Sequence, residues 1–319
     1  MFYQYWKSIT FANRPLKPTD FLSVYLFKEG NLSMKLILKG LSAGAFICLA
    51  SSVTYAANWS DTSLAVSYGK DFSEPFKNDA QGNAIDIEKY IFSLVHLSGY
   101  KYGTNFFQLN MHQSSDEPNP SKASGRGAQE AYAIYRHTLD IPSITQSKIE
   151  ESKWLKTYGF TFGFDWNTKN DDYGSNRQMY VAGPSVTLNT PGYLNLSLLG
   201  YYESNDANVL DKKYTYDPYL ALQVIWDFPI MQTSWNYQGI GVWMSPKGKD
   251  AFGASTASEI YVDMSLMYSL LKDKSANQPK LKAGVAYQYW KNKYGNDESG
   301  TAGQGATASS PMLRVAYYF

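Results

Sequence analysis

Along residues 62–319, apolar and polar side chains alternate in short runs of 8 to 12 residues, and stretches rich in Gly, Pro, Asn and Asp separate the runs. Alternation at period two describes a strand with two unlike faces. In TSLAVSYG, Leu64, Val66 and Tyr68 share a face against Ser63, Ala65 and Ser67. LKTYGFTFGFDW sets Tyr158, Phe160, Phe162, Phe164 and Trp166 against Thr157, Gly159, Thr161, Gly163 and Asp165. PMLRVAYYF sets Leu313, Val315, Tyr317 and Phe319 against Met312, Arg314, Ala316 and Tyr318. Between these lie KYIFSLVHL, NFFQLNMHQ, EAYAIYRHTL, MYVAGPSVTL, YLNLSLLGYY, DPYLALQVIWDF, SWNYQGIGVW, EIYVDMSLMYSL and LKAGVAYQYW, which brings the expectation to about 12 strands.

The apolar faces decide what kind of β protein this is. An aromatic ladder backed by small residues suits lipid better than a soluble core, where every ring would need a second layer opposite it. Tyr and Trp also recur at both ends of many strands, as interfacial girdles do, which argues against a soluble β-sandwich. Short turns alternate with longer polar loops, and an even strand number lets the first and last strands pair antiparallel with no open edge in the bilayer. The expected fold is therefore all-β: a transmembrane antiparallel β-barrel of about 12 strands in a bacterial outer membrane. The aromatic Phe319 after an alternating strand matches the usual assembly signal of such barrels.

Composition adds boundaries. MKLILKGLSAGAFICLASSVTYA at 34–56 reads as a signal peptide, with Lys35 and Lys39 ahead of an apolar core and small residues at its exit. Residues 1–33 read as an extension translated from upstream of the true start at Met34, which leaves 57–319 as the barrel. The one cysteine, Cys48, falls in the signal, so the mature chain is expected to lack thiols and disulfides. Charge is balanced, with 29 basic and 28 acidic side chains, so nothing favours nucleic acid as a partner.

Function in such a barrel is expected on the inward face and the long loops. Opposite the apolar parity of their strands stand Phe106, Glu130, Tyr132, Arg136, Asp165, Arg177, Asp217, Tyr219, Glu259, Asp263 and Arg314. Such charges either pair with one another and plug the lumen, or join the aromatic rings in binding a planar, partly polar solute. The three histidines, His96, His112 and His137, show no metal-binding spacing, and no serine elbow is present; a hydrolase assembled from distant residues is the remaining enzymatic alternative. GRG at 125–127 and SPKGKD at 245–250 lack the strand-to-helix setting of a phosphate loop and read as exposed loops, and Asp171-Asp172 reads as solvated. No cofactor or metal is expected.

Several longer stretches resemble one family. SYGKDFSEPF, HLSGYKYGTNFF, GAQEAYAIYRHTL, GFDWNTKNDDYG, VAGPSV, SPKGKDAFGASTASE and YQYWKNKYGN, in this order between about Trp59 and Phe319, resemble the Tsx-type nucleoside-specific channel-forming outer-membrane proteins, including the OmpK branch. The resemblance implies a monomeric barrel embedded in lipid and lipopolysaccharide, with a narrow lumen that passes nucleosides passively. It also implies loops that serve phages or bacteriocins as a receptor, which would be the main role if the barrel were plugged. It carries a binding role onto Glu74, Phe106, Glu130, Tyr132, Arg136, Asp165, Arg177 and Glu259. KNDAQGNA in the first loop departs from the shorter family pattern.

Overall fold

All of the alternating runs form strands. A computed structural model describes residues 57–115, 127–149, 153–272 and 279–319; the proposed extension 1–33, the signal segment with Cys48, and Gly125 and Arg126 of GRG lie outside the described residues. The strands are β1 (Trp59–Phe72), β2 (Ile87–Tyr100), β3 (Gly103–Ser114), β4 (Gln129–Asp140), β5 (Leu155–Lys169), β6 (Asn176–Leu188) and β7 (Tyr193–Asn205). There follow the two-residue β8 (Tyr214–Thr215), β9 (Tyr219–Pro229), β10 (Trp235–Met244), β11 (Glu259–Lys272), β12 (Pro279–Lys291) and β13 (Ala308–Tyr318). One short helix, α1 (Ile141–Thr145), lies between β4 and β5, where Asp140 caps it by accepting from Ser143 N at 2.8 Å.

Each strand pairs antiparallel with the next, β7 passes over β8 to β9, and β13 returns to β1 through Ser63↔Tyr318 to Tyr68↔Leu313. The result is a closed barrel of 12 strands, with β8 a spur on the end of β7. Closure is what lipid demands, because each unpaired backbone group there costs several kcal/mol. Pro184 in β6 has no N–H to donate, and the β6–β7 ladder is interrupted there, between Ala182↔Gly200 and Ser185↔Ser197.

The faces are inside out relative to a soluble protein. Leu313 is 66% exposed while its neighbour Met312 is 4% exposed. The β5 ladder of Tyr158, Phe160, Phe162 and Trp166 also faces outward. Tyr68 packs against its cross-strand partner Tyr90 at one rim (4.7 Å between centroids), and Trp235 meets Tyr268 at the other (5.1 Å). An apolar exterior between two such rims places the barrel in a bacterial outer membrane. The loops after β1, β3, β5, β7, β10 and β12 share one end, which is the extracellular one by the usual rule that the longer loops lie outside.

The inward face of β5 is lined by small residues because β4 leaves no room. A Cβ on Gly163 would stand 1.9 Å from the Tyr135 carbonyl oxygen and 3.1 Å from Arg136 Cα. Gly163→Ala should therefore lower barrel stability by about 1–3 kcal/mol, the usual range for overpacking. The urea midpoint of heat-modifiable gel mobility reads this, and an unchanged midpoint would show that the β4–β5 seam is looser than described.

Candidate functional site

Alternation carries one residue in two from each strand into the lumen, and there the space divides into three parts. An outer chamber of about 330 Å³ is lined by Glu74, Lys169, Asp171, Arg177, Tyr216 and Tyr294, among others. A waist of about 80 Å³ follows, with Glu130, Tyr132, Arg136, Asp165, Glu259 and Trp290 in its wall. An inner chamber of about 520 Å³ is walled by Phe106, Gln108, Asn195, Gln223, Asp263 and Arg314 with others. Arg177 and Tyr294 border both the outer chamber and the waist. Arg136, Gln108, Gln223 and Ile240 border both the waist and the inner chamber.

Most of the charge in this lumen is paired. Arg136 Nη2 donates to Asp165 Oδ2 at 3.0 Å and to the Tyr201 hydroxyl at 2.9 Å, while Nη1 bonds Asp165 Oδ1 and the Phe164 carbonyl at 3.2 Å. Glu203 accepts from Arg177 Nε at 2.7 Å, from Lys247 Nζ at 2.9 Å and from the Tyr219 hydroxyl at 2.8 Å. Glu74, in the β1–β2 loop, takes Lys293 Nζ at 2.9 Å and Lys169 Nζ at 3.3 Å, and also bonds Lys89. Deeper in, Arg314 forks onto Asp263 at 3.0 and 3.1 Å while its Nε bonds Ser67 Oγ at 2.8 Å. Buried pairs of this kind lose much of their Coulomb gain to desolvation. Their main effect is to hold long side chains across a narrow passage in one arrangement.

Beside the charges runs an apolar patch. Met179, Val181, Leu199, Tyr201, Tyr219 and Ala221 form a buried cluster, against which Tyr132, Val242 and Met244 pack. Tyr201 and Tyr219 stack at 5.1 Å with 22° between their planes. A planar solute thus meets ring faces on one wall and ionic hydrogen bonds on another.

Of the residues singled out by parity, Phe106, Glu130, Tyr132, Arg136, Asp165, Arg177, Glu259, Asp263 and Arg314 line the lumen and Tyr219 is buried against Glu203, while Glu74, singled out by the resemblance alone, sits at the outer chamber. Asp217 does not join them. It is exposed in the loop before β9, its N–H bonded to the Lys247 carbonyl at 3.2 Å, because Pro218 ends the strand and the alternation cannot be extended through it. Two loop readings also change. Lys247 of SPKGKD is buried against Glu203, and Asp171 is buried, with Lys169 Nζ at 3.4 Å and the Gly174 N–H at 2.9 Å. His137 and His96 lie on the outer face, bonded to Asn105 at 2.7 Å and to Thr62 at 2.8 Å, and His112 faces the waist.

Sequence reading passed over Lys89, Lys169, Glu203, Tyr201, Lys247 and Lys293. The first four have lumen parity: Lys89 and Tyr201 lie within the alternating runs, and extending the alternation would have added Lys169 and Glu203. Lys247 and Lys293 come from loops that turn inward, where no period marks them.

Burial alone would raise the Glu74 carboxyl, but the ammoniums of Lys169, Lys293 and Lys89 hold it well below the ordinary carboxylate range. The same burial brings Lys293 down to about 8; Glu74 opposes the fall, while Lys89 and Lys169 add to it and Glu130 again opposes it. Lys293 also lies over the rings of Trp290 (4.7 Å) and Tyr294 (5.3 Å).

No family model matches the chain, and no curated protein matches its sequence. Solved structures similar to it include the translocator domain of the autotransporter NalP from Neisseria meningitidis, at 9% identity over 90% of this chain and 98% of that one, TM-score 0.39. The KdgM porin is similar at 9% identity over 80% of this chain and 99% of that one, TM-score 0.39. The NanC porin is similar at 12% identity over 80% of this chain and 98% of that one, TM-score 0.38.

Two outcomes follow from the paired charges. Arg136→Ala leaves Asp165 as an uncompensated anion in a wider waist, so conductance should rise and the reversal potential in a KCl gradient should shift toward cation selectivity; no shift in either would remove the pair from the conduction path. Lys293 is charged below about pH 8 and loses its proton above it. Cation selectivity should therefore increase as pH rises through that value, and Lys293→Met should abolish the step.

Proposed function

We propose that the barrel is a passive channel carrying nucleosides and similar small, neutral, planar solutes across the outer membrane. The observation that carries this reading is the neutralisation of the lumen from within. Arg136, Arg177, Lys247, Lys169, Lys293 and Arg314 each have a carboxylate partner, so among the described residues most of the lumen cations are neutralised and little is left to draw an acidic solute. What a passing molecule meets is ring faces and fixed hydrogen-bonding groups, and these suit a heterocycle bearing a hydroxylated sugar.

The resemblance of SYGKDFSEPF, GAQEAYAIYRHTL, GFDWNTKNDDYG and the accompanying stretches to Tsx-type channels supports the same substrate class. The chamber volumes of about 330 and 520 Å³ fall within the range of small-molecule pockets, roughly 300–1,000 Å³. The waist, at about 80 Å³, holds a few waters and requires side-chain rearrangement for anything larger to pass. Successive weak sites on either side of such a step allow exit as well as capture, and the reading needs no energy source or cofactor.

The narrow waist also favours a second reading, in which the barrel is closed and its loops serve as a receptor for phages or bacteriocins. Flux separates the two. In a planar bilayer, the purified monomeric barrel should conduct, and adenosine and thymidine should block it in a concentration-dependent way while a disaccharide of similar size does not. Absence of conductance would favour the receptor, and equal block by all three solutes would indicate a general pore.

A further inference from the structure

A waist of about 80 Å³ does not admit the solutes proposed to cross it, so part of its wall has to move. The architecture restricts which part. Strands of a closed barrel supply nearly all of the lining, and each strand backbone is fixed by ladder hydrogen bonds on both sides. Among the described residues, the only side chains of the waist that do not come from a strand are Lys293 and Tyr294, in the turn after β12. Tyr294 also borders the outer chamber and so stands where the two spaces meet.

The backbone of that turn is unlike the strand it leaves. Asn292, Tyr294 and Gly295 lie in the left-handed region, with φ of 51°, 63° and 83°. Asn and Gly take this conformation readily, but for a bulky residue such as Tyr294 it is an outlier that persists only where the surroundings enforce it. Both neighbouring loops do so. From the β1–β2 loop, Glu74 Oε1 and the Ser73 carbonyl accept from Lys293 Nζ at 2.9 and 3.4 Å. Asn78 of the same loop donates to the Ala302 carbonyl at 2.9 Å and accepts from the Gly305 N–H at 2.9 Å. From the β10–β11 loop, the Ala257 N–H donates to the Gly295 carbonyl at 2.9 Å, and the Ser258 carbonyl accepts from Asn292 Nδ2 at 2.9 Å. The Tyr294 ring has Arg177 over its face at 5.0 Å and Trp290 against it, T-shaped, at 5.2 Å, which leaves it little room to rotate in place.

We propose that the turn 292–295 is the gate of the channel: it pivots at Asn292 and Gly295, carries Tyr294 out of the waist, and is held shut by the bonds from the β1–β2 and β10–β11 loops. The closed form keeps those bonds at the cost of a strained tyrosine, and the open form gives them up and relaxes it. Opposed contributions of this kind make an element bistable, and residues at the end of a strand are where hinges form. Passage is thereby gated by a backbone movement at the extracellular side of the waist, while the strands stay as they are. The inference rests on the passive-channel reading and adds the moving part to it.

The test is single-channel recording of the intact barrel in a planar bilayer, with two independent variants. A Cβ on Gly295 would lie 3.2 Å from Thr256 Cβ, near the roughly 3.5–4.5 Å of a disulfide. Thr256 is itself anchored by its N–H on the Gly248 carbonyl at 2.8 Å. Thr256→Cys with Gly295→Cys therefore ties the turn to the β10–β11 loop, and Cys48, the one native cysteine, falls in the segment read as a signal. Tyr294→Gly removes the ring and suits the left-handed backbone. The native barrel should switch between a lower and an upper conductance level. The oxidised cysteine pair should lose the upper level and regain it with dithiothreitol, and Tyr294→Gly should stay in the upper level. Heat-modifiable mobility shows whether each variant is folded, and the Tyr294→Gly comparison stands if the cysteine pair is not tolerated. A native barrel that conducts at a single level, or switching that persists in the oxidised pair or in Tyr294→Gly, overturns the gate and leaves the channel in place. No current through either the native barrel or Tyr294→Gly overturns the channel reading and the gate together.

Discussion

A backbone amide cannot be left unpaired in hydrocarbon, and the architecture of this protein follows from meeting that requirement with strands. Twelve strands satisfy it only if the first is bonded to the last, which the pairing of β1 with β13 achieves. Once the ladder is closed, the two faces of every strand are committed. Outward positions mostly take Leu, Val, Phe and Tyr because lipid is their solvent, and the charged side chains of the strands gather inward.

The lumen inherits a problem from this arrangement. Charged side chains are concentrated in a narrow tube whose walls screen them poorly. The chain resolves most of it by internal pairing, with Arg136 on Asp165, Arg177 and Lys247 on Glu203, three lysines around Glu74, and Arg314 on Asp263. Close packing between strands contributes too. Gly163 leaves space against the β4 backbone beside Arg136, whose guanidinium then reaches across to Tyr201. Among the described residues the passage is consequently shaped by bonded side chains, and Glu130 and Glu259 each accept through one carboxylate oxygen.

Much of the architecture was legible in the residues because the strand period is two. The β5 run from Tyr158 to Trp166 and the β13 run from Leu313 to Tyr317 face outward as their alternation predicts, and Arg136, Asp165, Arg177 and Arg314 face inward for the same reason. Alternation fails where the strand does. Asp217 precedes Pro218 and lies in a loop, so its parity had no meaning. The helix α1 was also not anticipated: Ile141–Thr145 is too short to show a 3.6-residue period, and only the cap from Asp140 marks it.

Sequence alone determined the class of fold, the number of strands, the outer and inner faces, and most of the polar residues of the lumen, since each depends on local periodicity and on the solvent that each face meets. Tertiary structure decided which charges neutralise which. Glu74 and Lys293 lie 219 positions apart, and Glu203 and Lys247 lie 44 apart, yet each pair is bonded. Three of those four residues, Glu74, Lys247 and Lys293, come from loops turned into the barrel. Such partners are set by where the closed ring and its inturned loops bring side chains together, a long-range consequence of closure that no local pattern along the chain encodes.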